Sequence, residues 1–102
     1  MGNKYGHITK MENIMVQQEK DVKELGQMLN KINCSIDDYK KLYEYYYSEQ
    51  REKDLNDEEK HLIPKDLNRG VLSEDEVYNF ILDTHDMALE MIDVALNLLK
   101  LY

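Results

Sequence analysis

The last thirty residues, Ser73 to Tyr102, constrain the fold more than any other stretch of the chain. Ser73 followed by Glu76 matches a capping box, which predicts a helix that begins at Glu74. On a repeat of about 3.6 residues the apolar side chains cover an unusually wide arc, and the polar side is a narrow strip. One neighbouring helix is too narrow to cover such an arc. We therefore expect this helix to be the spine of a small helical bundle.

Length, charge and cysteine content limit the class of protein. A chain of 102 residues suits one domain with a modest core. Its 21 Asp and Glu against 13 Lys and Arg give a net charge of -8, which repels nucleic acid and anionic lipid. A single cysteine, Cys34, favours a reducing, cytoplasmic compartment. No stretch has the apolar length of a membrane span or the spacing of metal ligands, so we predict neither membrane insertion nor a cofactor.

The apolar pattern begins at Met11. Residues 1–10 show no periodicity and are expected to form a loose N-terminal arm ahead of a single helical domain, residues 11–102. The first helix is predicted to end near Asn33. Within it, positions 11, 15, 18, 22, 25, 29 and 32 follow the alternating four-three spacing of a coiled coil, and only Gln18 interrupts the apolar set.

A second helix is predicted from about Ile36 to Asp54, with Ser35 placed to cap it. It contains five of the eight tyrosines, and its apolar stripe turns polar after Tyr46. Residues 55–72 are irregular and are expected to cross the bundle to the start of the last helix. The sequence thus predicts an all-α fold, an antiparallel three-helix bundle with a long final helix and an irregular packed crossover between helices two and three.

The middle of the chain resembles a known family. The resembling residues are a tyrosine pair, a charged step and a long run before the last helix: Tyr46-Tyr47-Ser48, Arg51, Asp54, and Leu62 to Asp75, which reads LIPKDLNRGVLSED. This order resembles the bacterial family DUF4298, a domain of unknown function, over most of the chain. Gln50 stands where the family pattern has an aromatic residue, usually tryptophan. The resemblance implies a small soluble bacterial protein and implies no activity.

The run from Arg69 to Asp75 allows two interpretations. An arginine, a glycine and a helix N-terminus together resemble an anion site. The alternative, which we favour, gives each residue a structural role: Gly70 makes a positive-φ turn, Ser73 caps the helix and Arg69 pairs with a nearby acid.

The favoured functional hypothesis is a non-enzymatic interaction module that binds a second copy or another protein through helix faces left exposed in the monomer. A homodimer seam is expected on the last helix. Two tyrosines of the second helix are further interface candidates, because one points away from its apolar stripe and the other sits at the margin of that stripe. The candidate interface residues are Tyr45, Tyr47, Leu82, Met87, Leu98 and Leu101.

The alternative hypothesis is a small-molecule binder or an enzyme with a pocket between helices two and three. Its candidate ligand-binding residues are Tyr46, Gln50, Asp54, Arg69 and His85. His85 lies on the apolar side of the last helix, where we expect a core or boundary histidine that bonds to a tyrosine hydroxyl or a backbone carbonyl. No catalytic residue is assigned, because no orienting carboxylate lies within reach of His85 along its own helix.

Overall fold

A computed structural model describes residues 4–102, and all of their regular structure is helical. Four α-helices follow one another along the chain, with a short 3-10 turn before the last: α1 Gly6–Cys34, α2 Ile36–Tyr46, α3 Glu49–Glu59, the turn Gly70–Leu72, and α4 Glu74–Leu99. The predicted all-α class is confirmed. The chain comprises two compact units, residues 4–39 and Lys40–Tyr102.

The first helix is longer than the sequence predicted. α1 begins at Gly6, so residues 6–10 of the expected arm are helical, while residues 1–3 of that arm lie outside the described residues. At the other end, Ser35 donates its hydroxyl to the Ile32 carbonyl at 3.0 Å. The hydroxyl therefore closes α1 and does not make the expected cap of α2. The Ser35 carbonyl instead accepts from the Asp38 amide at 2.9 Å, which starts α2.

The single second helix predicted from the sequence is wrong, because two helices occupy this region. α2 ends at Tyr46 and α3 begins at Glu49. The Ser48 hydroxyl donates to the Tyr45 carbonyl at 2.7 Å and accepts from the Arg51 amide at 3.2 Å. One side chain thus terminates α2 and caps α3. The polar residues after Tyr46 therefore belong to a new helix, in which Arg51 is the buried residue.

α3 ends in a Schellman motif. The Leu62 amide donates to the Asp57 carbonyl at 3.0 Å, and the His61 amide donates to the Glu58 carbonyl at 3.1 Å. His61 has a φ of 58°, the left-handed conformation that glycine usually occupies at this position. Nothing in the sequence predicted a left-handed conformation at His61.

Gly70 does not adopt the positive φ that the sequence predicted. It starts the 3-10 turn, where an added Cβ would collide with the Glu76 carboxylate. The end of the exposed Glu76 side chain can move aside, so neither this contact nor the backbone dihedral requires a glycine here.

α4 starts where the sequence predicted. The Ser73 hydroxyl accepts from the Glu76 amide at 3.3 Å, and three acidic residues occupy the first turn, at the positive end of the helix dipole. In a full capping box the Glu76 carboxylate would also accept from the Ser73 amide. Here that amide donates to the Gly70 carbonyl at 3.0 Å instead. Within residues 4–102, no helix combines the length and the apolar character needed to cross a membrane.

Few side chains are buried. Among residues 4–102, the buried ones are Val77, 5% exposed, and Arg51, 9% exposed. Both lie in the unit Lys40–Tyr102, where the 3-10 turn contacts α3 and α4. With so few buried side chains, the antiparallel three-helix bundle predicted from the sequence is not confirmed.

The left-handed His61 generates a stability prediction. We expect His61→Gly to raise the free energy of unfolding by about 0.5–1 kcal/mol, because glycine adopts this conformation without a Cβ penalty. Urea unfolding followed by far-ultraviolet circular dichroism measures the change. His85→Gly is the matched control on α4 and should lower the free energy of unfolding by about 0.3–0.5 kcal/mol, because glycine is a poorer helix former than histidine. A loss at both positions would contradict the Schellman assignment.

Candidate functional site

A buried arginine connects α3 to the start of α4. Arg51 lies in the first turn of α3, and its Nε donates to the Val71 carbonyl at 3.1 Å while Nη2 reaches the Ser73 carbonyl at 3.5 Å. Its guanidinium also lies over the Tyr46 ring, 4.5 Å from the ring centroid. One side chain therefore contacts the last residue of α2, the 3-10 turn and the N-cap residue of α4. In the sequence, Arg51 stood out only as part of the family resemblance, and this role was missed.

A second polar contact joins α2 to α3. The Tyr45 hydroxyl donates to Oδ2 of Asp54 at 2.6 Å, and Nε2 of Gln50 donates to Oδ1 of the same carboxylate at 2.9 Å. Burial, then the hydrogen bond to Asp54, raise the pKa of Tyr45 to about 12. The hydrogen bond from Tyr45, then that from Gln50, lower the pKa of Asp54. Tyr45 thus stays protonated and Asp54 charged near neutral pH, whereas a general acid or base works best with a pKa near the working pH.

A third polar contact ties the crossover to the end of α3. Nη1 of Arg69 donates to both carboxylate oxygens of Glu58, at 3.1 and 2.9 Å. The predicted pairing of Arg69 with an acid is confirmed. The contact favours the structural interpretation of this region over an anion site, because the guanidinium charge is already matched by Glu58.

A shallow groove of about 310 Å³ lies beside these contacts. Its lining is mainly apolar with two polar side chains at the rim: Leu42, Asn68, Gly70, Val71, Glu76, Val77 and Phe80. Ligand pockets start at about this volume but usually enclose most of their ligand. None of the five predicted ligand-binding residues lines this groove.

The five predicted ligand-binding residues fall in separate places. Gln50 and Asp54 meet at one carboxylate, Tyr46 packs against the Arg51 guanidinium, and Arg69 binds Glu58, as described above. His85 is exposed on α4, so its expected core or boundary position is wrong. Leu82 and Leu89 are exposed as well, so this stretch of the apolar arc of α4 is uncovered.

The apolar faces of the two long helices are largely exposed. Nine large apolar side chains of α1 and eleven of α4 are exposed. Five of the six predicted interface residues are exposed: Leu82, Met87 and Leu98 on α4, Leu101 just after α4, and Tyr47, 78% exposed, just after α2. The sixth candidate, Tyr45, is half-buried and donates a hydrogen bond to Asp54, so it is not part of the exposed surface.

Comparison with family models classifies the chain. The model for DUF4298, a domain of unknown function, matches residues 8–94. The chain belongs to the DUF4298 family. The match extends from the first turn of α1 into the last turns of α4, so it includes every contact described above. Comparisons of this DUF4298 chain with curated proteins and with solved structures give no match.

The Arg51 contacts predict a large stability loss on truncation. We expect Arg51→Ala to lower the free energy of unfolding of this DUF4298 chain by about 2–4 kcal/mol, because two carbonyls lose a charged donor. The matched control, Arg69→Ala, removes a partly exposed ion pair and should cost about 1 kcal/mol or less. Urea unfolding of both variants measures the difference. Equal costs would show that the junction does not depend on the buried guanidinium.

The Tyr45–Asp54 pair predicts two windows of pH-dependent stability. The lowered pKa of Asp54 stabilises the fold above the unfolded carboxyl pKa of about 3.9, and this stabilisation is lost as the pH falls through the folded value. The raised pKa of Tyr45 gives stabilisation that is present below about pH 10 and lost as the pH rises toward about 12. In urea titrations at a series of pH values, Tyr45→Phe should remove the alkaline window and reduce the acidic one, because the hydrogen bond from Gln50 to Asp54 remains.

Tyr47→Phe is the control for this pH series, because Tyr47 is exposed two positions along the chain. It should keep both windows. An ultraviolet titration should also lose its latest tyrosinate step in Tyr45→Phe and keep that step in Tyr47→Phe. Identical profiles for the two variants would contradict the assignment.

Proposed function

We propose that this DUF4298 chain is a non-enzymatic interaction module of the bacterial cytoplasm that associates with itself through the exposed apolar faces of α1 and α4. The observation that carries the proposal is the exposure of apolar side chains along both helices. Apolar surface on this scale marks protein contact sites, because monomeric proteins rarely expose large continuous apolar patches.

The dimensions of the two faces suit an extended interface. At about 1.5 Å per residue, α1 with 29 residues and α4 with 26 residues are about 44 and 39 Å long. Covering one half-exposed Leu or Ile contributes about 1 kcal/mol. Ten or more such side chains therefore offset an association cost of about 4–15 kcal/mol.

Charge limits which faces can meet. α4 carries seven acidic residues and no Lys or Arg between Glu74 and Leu99, whereas α1 carries four acidic residues and four lysines between Gly6 and Cys34. Two α4 helices side by side would bring fourteen carboxylates together. α1 is close to neutral, so it is the more favourable neighbour for either long helix.

The finer architecture belongs to the same proposal. In the antiparallel three-helix bundle predicted from the sequence, α1, α2 with α3, and α4 would share their apolar sides. Three helices leave part of the wide α4 arc open. A second copy would cover that remainder, which makes bundle formation and association parts of one process.

The polar contacts support a non-enzymatic function. Tyr45 and Asp54 hold protonation states that resist change near neutral pH, and Arg69 is neutralised by Glu58. A small-molecule pocket built from Tyr46, Gln50, Asp54, Arg69 and His85 has less support, because Arg69 is bound to Glu58 and His85 is exposed on α4.

The proposal predicts that the chain forms a dimer. It also predicts that a charge placed on the apolar face of α4 weakens dimer affinity. Light scattering of the purified chain at high micromolar concentration should give twice the monomer mass. Leu98→Glu should raise the dimer dissociation constant at least tenfold, because it places a carboxylate on an apolar, already acidic helix. The matched control, Asn97→Glu, adds the same charge on the polar strip and should leave association nearly unchanged.

A clean monomer at that concentration would remove the self-association proposal. Equal effects of Leu98→Glu and Asn97→Glu would show that association does not use the apolar side of α4.

A further inference from the structure

α1 carries a complete coiled-coil seam along its exposed face. In heptad notation, its a positions are Ile8, Met15, Val22 and Leu29, and its d positions are Met11, Gln18, Leu25 and Ile32. α1 has no buried residue, and the apolar a and d side chains other than Ile32 are 41–68% exposed. The seam therefore has a surface of the right pattern to receive another helix.

The charges beside the seam select the orientation of that helix. The acidic residues flanking it are Glu12 and Glu19 at e positions and Asp21 at a g position. In a fully overlapping antiparallel pair, e positions face e positions and g positions face g positions. Glu19 would then face its own copy, and so would Asp21, which disfavours this arrangement.

A parallel, in-register pair removes both repulsions. The g positions then face the e positions five residues later on the other helix, which places Glu12 beside His7, Glu19 beside Ile14, and Asp21 beside Gly26. No acidic residue faces another acidic residue across this seam. The charges at the e and g positions therefore favour a second copy of α1 in parallel orientation over an antiparallel one.

Gln18 favours the same arrangement. It is the one polar residue of the seam between Ile8 and Ile32. In the parallel pair, Gln18 lies opposite its own copy, and each amide can donate to the carbonyl oxygen of the other. In the antiparallel pair it lies opposite Val22, where its amide would have no polar partner. A single polar pair within an apolar seam also specifies register.

We propose that α1 forms a parallel, in-register, two-stranded coiled coil with α1 of a second copy of the chain. This inference rests on the self-association part of the proposed function and names the partner and the face of α1 that it covers. The coiled coil takes the place of the packing of α1 inside the three-helix bundle, because one apolar side of α1 cannot cover both α4 and a second α1. Gly26 at an e position leaves room for the Asp21 side chain of the other helix, since a Cβ added to Gly26 would meet nothing within 4 Å in the single chain.

The first experiment tests the seam on the full chain by analytical ultracentrifugation. Val22→Glu puts a charge at a central a position and should convert the dimer to a monomer, a loss of at least a hundredfold in affinity. Val16→Glu is the matched control, because Val16 is a similarly exposed valine on the same helix outside the seam. It should leave the dimer mass unchanged.

The second experiment tests orientation without altering the seam. Cys34 is the single cysteine, is exposed and occupies an f position away from the seam, so the unmodified sequence accepts one spin label per chain. In the parallel pair the two labels should lie about 20–30 Å apart, across the width of two packed helices. In the antiparallel pair the rise along the helices separates them by about 42 Å or more.

The outcomes separate this inference from the proposed function. A dimer that Val22→Glu dissociates, with the short label distance, supports the coiled coil. A dimer that survives Val22→Glu, a trimer or larger assembly, or a label distance beyond about 40 Å overturns the inference and leaves self-association through other faces standing. A monomeric wild-type chain overturns both.

Discussion

The unit from Lys40 to Tyr102 depends on one buried guanidinium. Arg51 binds the Val71 and Ser73 carbonyls and packs on the Tyr46 ring, so it positions the start of α4 against α3. A planar, permanently charged group with several donors suits this task, and a lysine would present only a point charge. The helix break at Ser48 is part of the same arrangement, because the Ser48 hydroxyl caps the turn that presents Arg51.

Polar contacts, more than an apolar core, hold this region together. The Tyr45–Asp54 bond joins α2 to α3, and the Arg69–Glu58 pair joins α3 to the crossover. Val77 is the most deeply buried apolar side chain among residues 4–102. Most apolar side chains of the long helices remain available. A chain organised in this way gains its hydrophobic stabilisation chiefly by covering those faces, which links folding to association.

Local patterns in the sequence were sufficient for several features. The Ser73 cap and the start of α4 follow from residues three apart, and the pairing of Arg69 with an acid was expected from its surroundings. The four-three spacing of α1 lies on one helix that the structure confirms and extends. The spacing of Gln50 and Asp54 on α3 is a further local signal that could have predicted their hydrogen bond. By contrast, the continuous apolar stripe suggested one helix through Tyr46, because serine alone does not mark a helix break.

The sequence by itself determined the all-α class, the start of α4 and which sides of α1 and α4 are apolar, since helix capping and side-chain periodicity act over a few residues. The break at Ser48 and the left-handed His61 rest on local hydrogen bonds that no residue preference marked in the sequence. Tertiary structure decided the partners of Arg51. Arg51 finds its acceptors twenty and twenty-two residues away. No local pattern specifies such distant contacts, because they form only after the crossover has returned the chain to the first turn of α3.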